Sequence, residues 1–461
     1  MKTAKLLLIF FLIAGSLFAQ RFGTGLKFND VKYKEQQTKA TLVRSLYSML
    51  PKSASLKAYC PLPKSQGSYG TCVGWATAYC AMTIMEAKKN SWSEKEVITN
   101  NTFSPGYIYK QIKTDDDVSC KWGASIEDAL EIMKTKGLIK YDDMDEKNCP
   151  SYIPLDLFNK AAKYKIKDYA KLFDVGDLDN IKIQSTKKSL SEGKPVVIGM
   201  EVPPSFDYPS ALWAPTEDYT QSYGGHAMCV IGYDDNMYGG AFEIQNSWGD
   251  TWGENGYIWV KYIDYAHFCK YAFEVMELPS SNAPEYTELS GRMKFVTSTG
   301  VEMQAFLTGN IYKMNDPYKS GTRFRLNISN NQPAYVYAIG FDGTLKTFQI
   351  FPHLPNVSPI LNYKQNDVAI PDEEHFIQMD NTVGTDYFCV LYSKDALDIK
   401  SIKAKIEAAP GLFADRVKSA VGSKFIDFPD VNYSPNGDIS FSAKSTTKNV
   451  VALIVEMKHT K

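Results

Sequence analysis

Gln66-Gly67-Ser68-Tyr69-Gly70-Thr71-Cys72-Val73-Gly74-Trp75 is a glycine-punctuated loop that runs straight into an apolar helical pattern. The pattern continues through Ala76, Tyr79, Cys80 and Thr83, with Thr71 as the expected N-cap, so Cys72 falls on the first turn of a helix. There the free backbone N–H groups and the helix dipole favour a thiolate. Three later fragments supply what a thiolate nucleophile needs: Gly224-Gly225-His226-Ala227, Gln245-Asn246-Ser247-Trp248-Gly249 and Trp252-Gly253-Glu254-Asn255-Gly256-Tyr257. The His226 imidazole can take the thiol proton and later return it to a leaving amine. The Asn246 amide can hold that imidazole in one tautomer. The Gln66 side chain can join the Cys72 backbone N–H as an oxyanion donor. Singly, each fragment reads as an ordinary turn or a buried thiol, the reading kept for Cys80 and for His267. Their order and spacing set them apart.

Outward from this loop, Ser125-Ile126-Glu127-Asp128 opens a second helix like a capping box, with Ile126, Ala129, Leu130 and Met133 on one face and Gly137 closing it. Stretches 195–200, 228–232 and 257–260 read as strands. Helices first and strands later predict an α+β domain of two lobes over residues 51–280, which hold seven of the eight cysteines and all seven tryptophans. A Pro/Ser-rich linker is expected at 281–290. Beyond it, alternation at Phe324, Leu326 and Ile328 predicts strands. Stretches 335–339 and 345–351 flank an Asp342-Gly343 turn, and 388–392 and 450–455 add further strands. One helix is expected from Leu397 to about Ala409, stopped by Pro410. Residues 291–461 therefore read as a separate, mostly β accessory domain, sandwich-like.

The amino-terminal end reads as a targeting segment. Lys2 and Lys5 precede an apolar run at residues 6–13, and small residues lead to a cut before Gln20. That run is shorter than the roughly 20 residues needed to span a bilayer, so residues 1–19 are expected to be a signal peptide and the mature protein to be secreted or periplasmic. Residues 20–50 form a polar, Lys-rich extension with one short helix around 41–50. The whole chain of 461 residues, 44% apolar, 22% charged and 13% aromatic, is of ordinary globular composition. Its net charge of −1 gives no global field for nucleic acid or an anionic membrane. No CxxC, HExxH, GxSxG or phosphate-loop pattern occurs, so no metal or organic cofactor is expected.

At Gln66, Cys72, His226, Asn246, Trp248 and the Trp-Gly-Glu-Asn-Gly-Tyr element the sequence resembles the papain-like cysteine peptidases. The resemblance implies a two-lobed fold, a helical lobe carrying the Cys and a β-barrel-like lobe carrying the His, with substrate in the cleft between. It implies Cys72 as nucleophile, His226 as base and acid, Asn246 as orienter and Gln66 as oxyanion donor, with Trp248 shielding the hydrogen bond between Asn246 and His226. Cys120-Lys121-Trp122-Gly123 resembles the family's Cys-Asn-Gly-Gly, which implies substrate contact at Gly123 and, with Trp122 in place of a Gly, a narrowed or covered cleft. The implied activity is endopeptidase cleavage of a protein or peptide through an acyl-enzyme. The alternatives are an aminopeptidase of the bleomycin-hydrolase type and a non-catalytic binding protein in which the β domain carries the function. The β domain resembles a module appended to bacterial exported enzymes and is expected to bind or position a partner.

By the same resemblance Cys120 would pair with a Cys at position 69, which is Tyr69 here, and the partner of Cys149 is missing. This leaves a non-family pair between Cys120 and Cys149, or two thiols that are free or otherwise paired. Family members often carry an inhibitory prosegment, but residues 20–50 are too few to fold alone and show no long amphipathic helix. A protein beginning at Gln20 is therefore expected to be active without further cutting. The alternative is that residues 20–50, or the β domain, fold back over Cys72.

Overall fold

A computed structural model describes residues 22–277, 287–363, 365–435 and 437–461. The expected signal peptide and its cut lie outside the described residues, as do positions 281–286 of the expected linker; Thr287 already opens a strand.

The helical lobe is built round one continuous helix made of Cys72–Gly74, a wider-wound stretch Trp75–Met82, and Thr83–Lys89. Residues 71–85 are all buried, as a helix apolar on every side must be. Thr71 does not cap it. Its backbone, at φ −99° and ψ 13°, is not extended, and its Oγ1 is buried without a partner. Ser125 does cap Ile126–Thr135, its Oγ accepting from the Asp128 N–H at 3.3 Å, and Ile126, Ala129, Leu130 and Met133 are buried as expected.

The second lobe is an eight-stranded sheet. Its order is Ile166–Lys171, Cys269–Glu277, Val196–Val202, Gly224–Asp234, Ala241–Gln245, Tyr257–Lys261 and Leu212–Trp213, with Ser53–Ser55 beside Gly224–Asp234. The path of strands stays open rather than closing into a barrel. Cys229 lies opposite Gln245, and this register brings His226 on one strand beside the turn that follows the next. One apolar core runs through both lobes, from Cys72 and Ile84 to Ile198, Ile231 and Phe273.

The carboxy-terminal region is two mostly antiparallel sheets, of eight and six strands. In Ala334–Phe341 the side chains alternate. Val336 and Ala338 join the core shared with the smaller sheet, while Tyr335, Tyr337 and Ile339 face a second core with helices Ile399–Ala408 and Phe413–Val421. Ala170 and Met276 of the first domain belong to that second core, so the two domains share it. The helix Phe413–Val421 was not expected; its apolar residues Phe413, Val417 and Ala420 do follow a helical spacing.

Residues 22–50 are an ordered part of both domains, not a polar tail. Asn29 caps a short helix, Asp30–Glu35, and the expected helix near residues 41–50 is the single turn Arg44–Ser48. Tyr33 is buried, stacks on Tyr271 at 4.0 Å, donates its hydroxyl to Phe173 O and accepts from the Ala272 N–H. Tyr33→Ala should lower stability by roughly 3–5 kcal/mol, the usual loss for a buried aromatic. Val31→Ala, at a position 73% exposed, should stay within about 0.5 kcal/mol. Chemical denaturation of the full chain measures both.

Candidate active site

Cys72 opens the central helix of one lobe, His226 lies on a strand of the other, and Asn246 follows the neighbouring strand Ala241–Gln245. The His226 Nε2 and the Asn246 Oδ1 lie 2.7 Å apart. An amide oxygen only accepts, so Nε2 carries the proton and Nδ1 is the basic nitrogen. Nδ1 is buried and has no hydrogen-bond partner. Cys72 is at hand: its Sγ accepts from the N–H of Ala227, the residue after His226, at 3.4 Å. The Trp248 ring stacks on the imidazole at 4.6 Å. The Gln66 Oε1 accepts from Ser247 Oγ at 2.6 Å, which fixes the amide so that its Nε2 is the donor left over. The four residues named from sequence are thus brought together, with Trp248 over them.

Trp122 is 54% exposed. The Gly123 N–H donates to Tyr109 Oη at 2.9 Å, and that hydroxyl in turn donates to Asp117. The backbone N–H and carbonyl of the next residue, Ala124, pair with residues 25 and 27. The expected non-family pair is present as the disulfide between Cys120 and Cys149, which ties this loop down, and Cys120 O accepts from the Gly70 N–H of the nucleophile loop.

What covers Cys72 is the chain's own amino-terminal segment, residues 22–28. Phe22 stacks on Trp248 at 4.7 Å. The Gly23 carbonyl oxygen accepts from both Gln66 Nε2 and Trp248 Nε1 at 3.0 Å. The Ala124 N–H donates to Gly25 O, the Lys27 N–H to Ala124 O, and the Leu26 N–H to Gly225 O. The fit leaves no room for a side chain: a Cβ on Gly25 would sit 2.1 Å from Gly70 O. Leu26 lies against Gly199 and is buried. The expectation of an uncovered cleft is therefore corrected. No independent fold was needed, because seven residues of extended backbone pair with groups already on the cleft walls. The sequence signal was Gly23-Thr24-Gly25-Leu26, two small residues followed by an apolar one.

This cover sets the protonation states. Burial pushes the Cys72 thiol up to about 12, against the pull of nearby backbone N–H groups including that of Gly25. Burial lowers His226 to about 4, against the bond to Asn246. In the covered state the pair is a neutral thiol and a neutral imidazole. Among the described residues no group of three or more His, Cys, Asp or Glu could hold a metal ion, and no helix is long and apolar enough to cross a membrane.

Over residues 51–277 the chain matches the papain family of cysteine proteases. This part of the chain is a papain-family cysteine protease domain. It is 28% identical over 210 residues to an uncharacterized peptidase C1-like protein of Acanthamoeba polyphaga mimivirus, covering 43% of this chain and 63% of that protein. It is 23% identical over 218 residues to cysteine proteinase 3 of Entamoeba histolytica, covering 47% and 64%. The chain thus spans less than two thirds of the length of these two relatives. Among solved structures, xylellain, a cysteine protease from Xylella fastidiosa, is similar at a TM-score of 0.46 and 23% identity, over 56% of this chain and 97% of that one.

Two outcomes follow from the covered site. Gly25→Ala should expel the segment and raise the rate of Cys72 alkylation by iodoacetamide at pH 7 at least tenfold over wild type, read by mass spectrometry. Between pH 6.5 and 4 the unfolded chain binds a proton at His226 that the folded chain refuses. This contribution is intact above pH 6.5 and is lost as pH falls toward 4, by roughly 3 kcal/mol. Melting curves across that range should fall less steeply for His226→Gln.

Proposed function

We propose that the protein is an exported cysteine endopeptidase, held latent while residues 22–28 occupy its cleft. The observation that carries this reading is the 2.7 Å contact between His226 Nε2 and Asn246 Oδ1, which leaves Nδ1 as the basic nitrogen, one residue from the Ala227 N–H that meets the helix-terminal Cys72 thiol. With the segment gone, solvent and the helix dipole favour transfer of the Cys72 proton to His226. The thiolate attacks a peptide carbonyl carbon, and the oxyanion is held by Gln66 Nε2 and the Cys72 N–H. The imidazolium gives its proton to the leaving amine, forming a thioester with Cys72. His226 then takes a proton from water, which attacks the thioester and releases the acid and the thiol.

Endopeptidase rather than aminopeptidase activity is favoured because the cleft accepts backbone on both sides of Cys72, from Phe22 over Trp248 to Leu26 against Gly199. The leader pattern and the disulfide between Cys120 and Cys149 support export. The substrate is a protein or peptide, and the chemistry asks for no cofactor.

The test uses Gly25→Ala protein, mild reductant and fluorogenic peptides blocked at both ends. Cleavage of the blocked peptides is expected. Adding Cys72→Ala should abolish it with the fold intact, adding Gln66→Ala should lower kcat by about 10²–10³, and adding Asn246→Ala should leave part of it. Equal rates with and without Cys72 would overturn the reading, and cleavage confined to free amino termini would replace it with the aminopeptidase.

A further inference from the structure

Residues 22–28 hold the cleft through Leu26, the single buried side chain among them, through the half-buried rings of Phe22 on Trp248 and Phe28 on Tyr271, and through hydrogen bonds to their backbone worth about 1 kcal/mol each. Ordering seven residues opposes this by about 1–2 kcal/mol per residue. A segment so balanced stays in place through its tether, which keeps its local concentration high. The tether is unusual in where it is fastened.

At Thr38 the chain forms isolated backbone bridges to two domains. On the protease side the Lys39 N–H donates to Lys171 O and the Lys171 N–H to Gln37 O, each at 2.9 Å. On the other side the Thr38 N–H donates to Asn356 O at 2.6 Å, and the Ser358 N–H to Thr38 O at 2.8 Å. Thr38 is thereby paired with Lys171 and with Val357 at once. The Lys39 ammonium is buried between the domains, 2.8 Å from Glu274 of the protease domain and 2.5 Å from Asn362 of the β domain. The next residues leave the protease domain altogether: Ala40 and Leu42 lie in the core between the two sheets, and the Val43 N–H donates to Asp367 O at 2.9 Å.

We propose that the carboxy-terminal β domain is the anchor of the inhibitory segment: it fixes residues 38–43, and through them keeps residues 22–28 over Cys72. The β domain then has a function of its own, control of access to the thiol, and any event that parts it from residues 38–43 opens the cleft. Tyr33 is the rival anchor, because it docks on the protease domain between the two ends. The inference is independent of which bond the enzyme cuts, since its readout is exposure of a thiol.

The full chain tests it with Leu42→Asp, which sets a carboxylate in the sheet core, and Lys39→Met, which removes the buried bonds to Asn362 and Glu274. Amide hydrogen exchange at Thr38 and Val43 reports the anchor, exchange at Leu26 and Lys27 reports the segment, and iodoacetamide reports Cys72. Strand Val196–Val202 reports the protease fold and has to stay protected for a variant to be scored. The expected result is that both variants speed exchange at all four amides together and raise Cys72 alkylation at least tenfold. Faster exchange at Thr38 and Val43, with Leu26, Lys27 and Cys72 unchanged, would overturn the proposal and leave Tyr33 as the anchor. Should Leu42→Asp unfold the protease strand, Lys39→Met decides alone. In wild type the same question is answered by whether the four amides share one opening rate; separate rates, with the segment opening first and alone, also overturn it. A Cys72→Ala chain should give the same exchange pattern, so a failure of the peptidase reading leaves this test standing.

Discussion

A carboxylate wholly removed from water is tolerated only where its oxygens are paired, and Glu274 is such a group. Oε1 accepts from Lys39 Nζ and Asn362 Nδ2, and Oε2 from Ser189 Oγ and Tyr363 Oη. Burial alone would raise this carboxyl; Lys39 and Lys194 outweigh it and hold the group down at about 2. The four partners come from three stretches of chain that share no secondary structure: the amino-terminal segment, the protease domain and the β domain. Losing one partner of a buried pair costs about 3–5 kcal/mol, so the three stretches are committed to one arrangement. Much else depends on that arrangement, including the course of residues 22–43 across the molecule.

The active-site geometry follows from a second constraint, that backbone approach is closer than any side chain allows. Gly70 and Gly25 meet through bare backbone, and a Cβ on Gly123 would lie 2.0 Å from Gly25 O. These contacts exclude water from Cys72 and His226, and the exclusion neutralises both. Catalytic geometry and catalytic charge are thus separable here. The thiol and the imidazole stand where the proposed chemistry needs them while both are neutral, and in that proposal it is the entry of solvent that charges them.

What could be read from sequence was what depends on local pattern. The cap at Ser125, the alternation at Phe324, Leu326 and Ile328, the hairpin around Asp342-Gly343, and the grouping of Cys72, His226, Asn246 and Gln66 all follow from spacing, turn chemistry or family resemblance. Missed were features decided by what lies opposite in space. Thr71 has a capping residue's chemistry without its backbone conformation. Residues 22–50 read as polar because their partners are backbone groups and single buried side chains such as Tyr33 and Leu42, which leave no periodic stripe. The Gly123 N–H is taken by the hydroxyl of Tyr109, from a different helix, and it is the neighbouring Ala124 that pairs with residues 25 and 27. Leu345, also expected in a strand, lies in the turn before Thr347–Phe351.

The six cysteines outside the disulfide are all buried, and five of them are walled in by the core. Cys72 differs, for part of its wall is the amino-terminal segment, residues 22–28. Outside a reducing compartment an exposed, activated thiolate is oxidised stepwise to sulfenic and then irreversible acids, or captured as a mixed disulfide. A thiol kept protonated beneath Gly23-Thr24-Gly25 escapes both fates. On the reading proposed above, the seven residues that would deny substrate to the enzyme would also set its shelf life, preserving the sulfur in its reduced state until they leave.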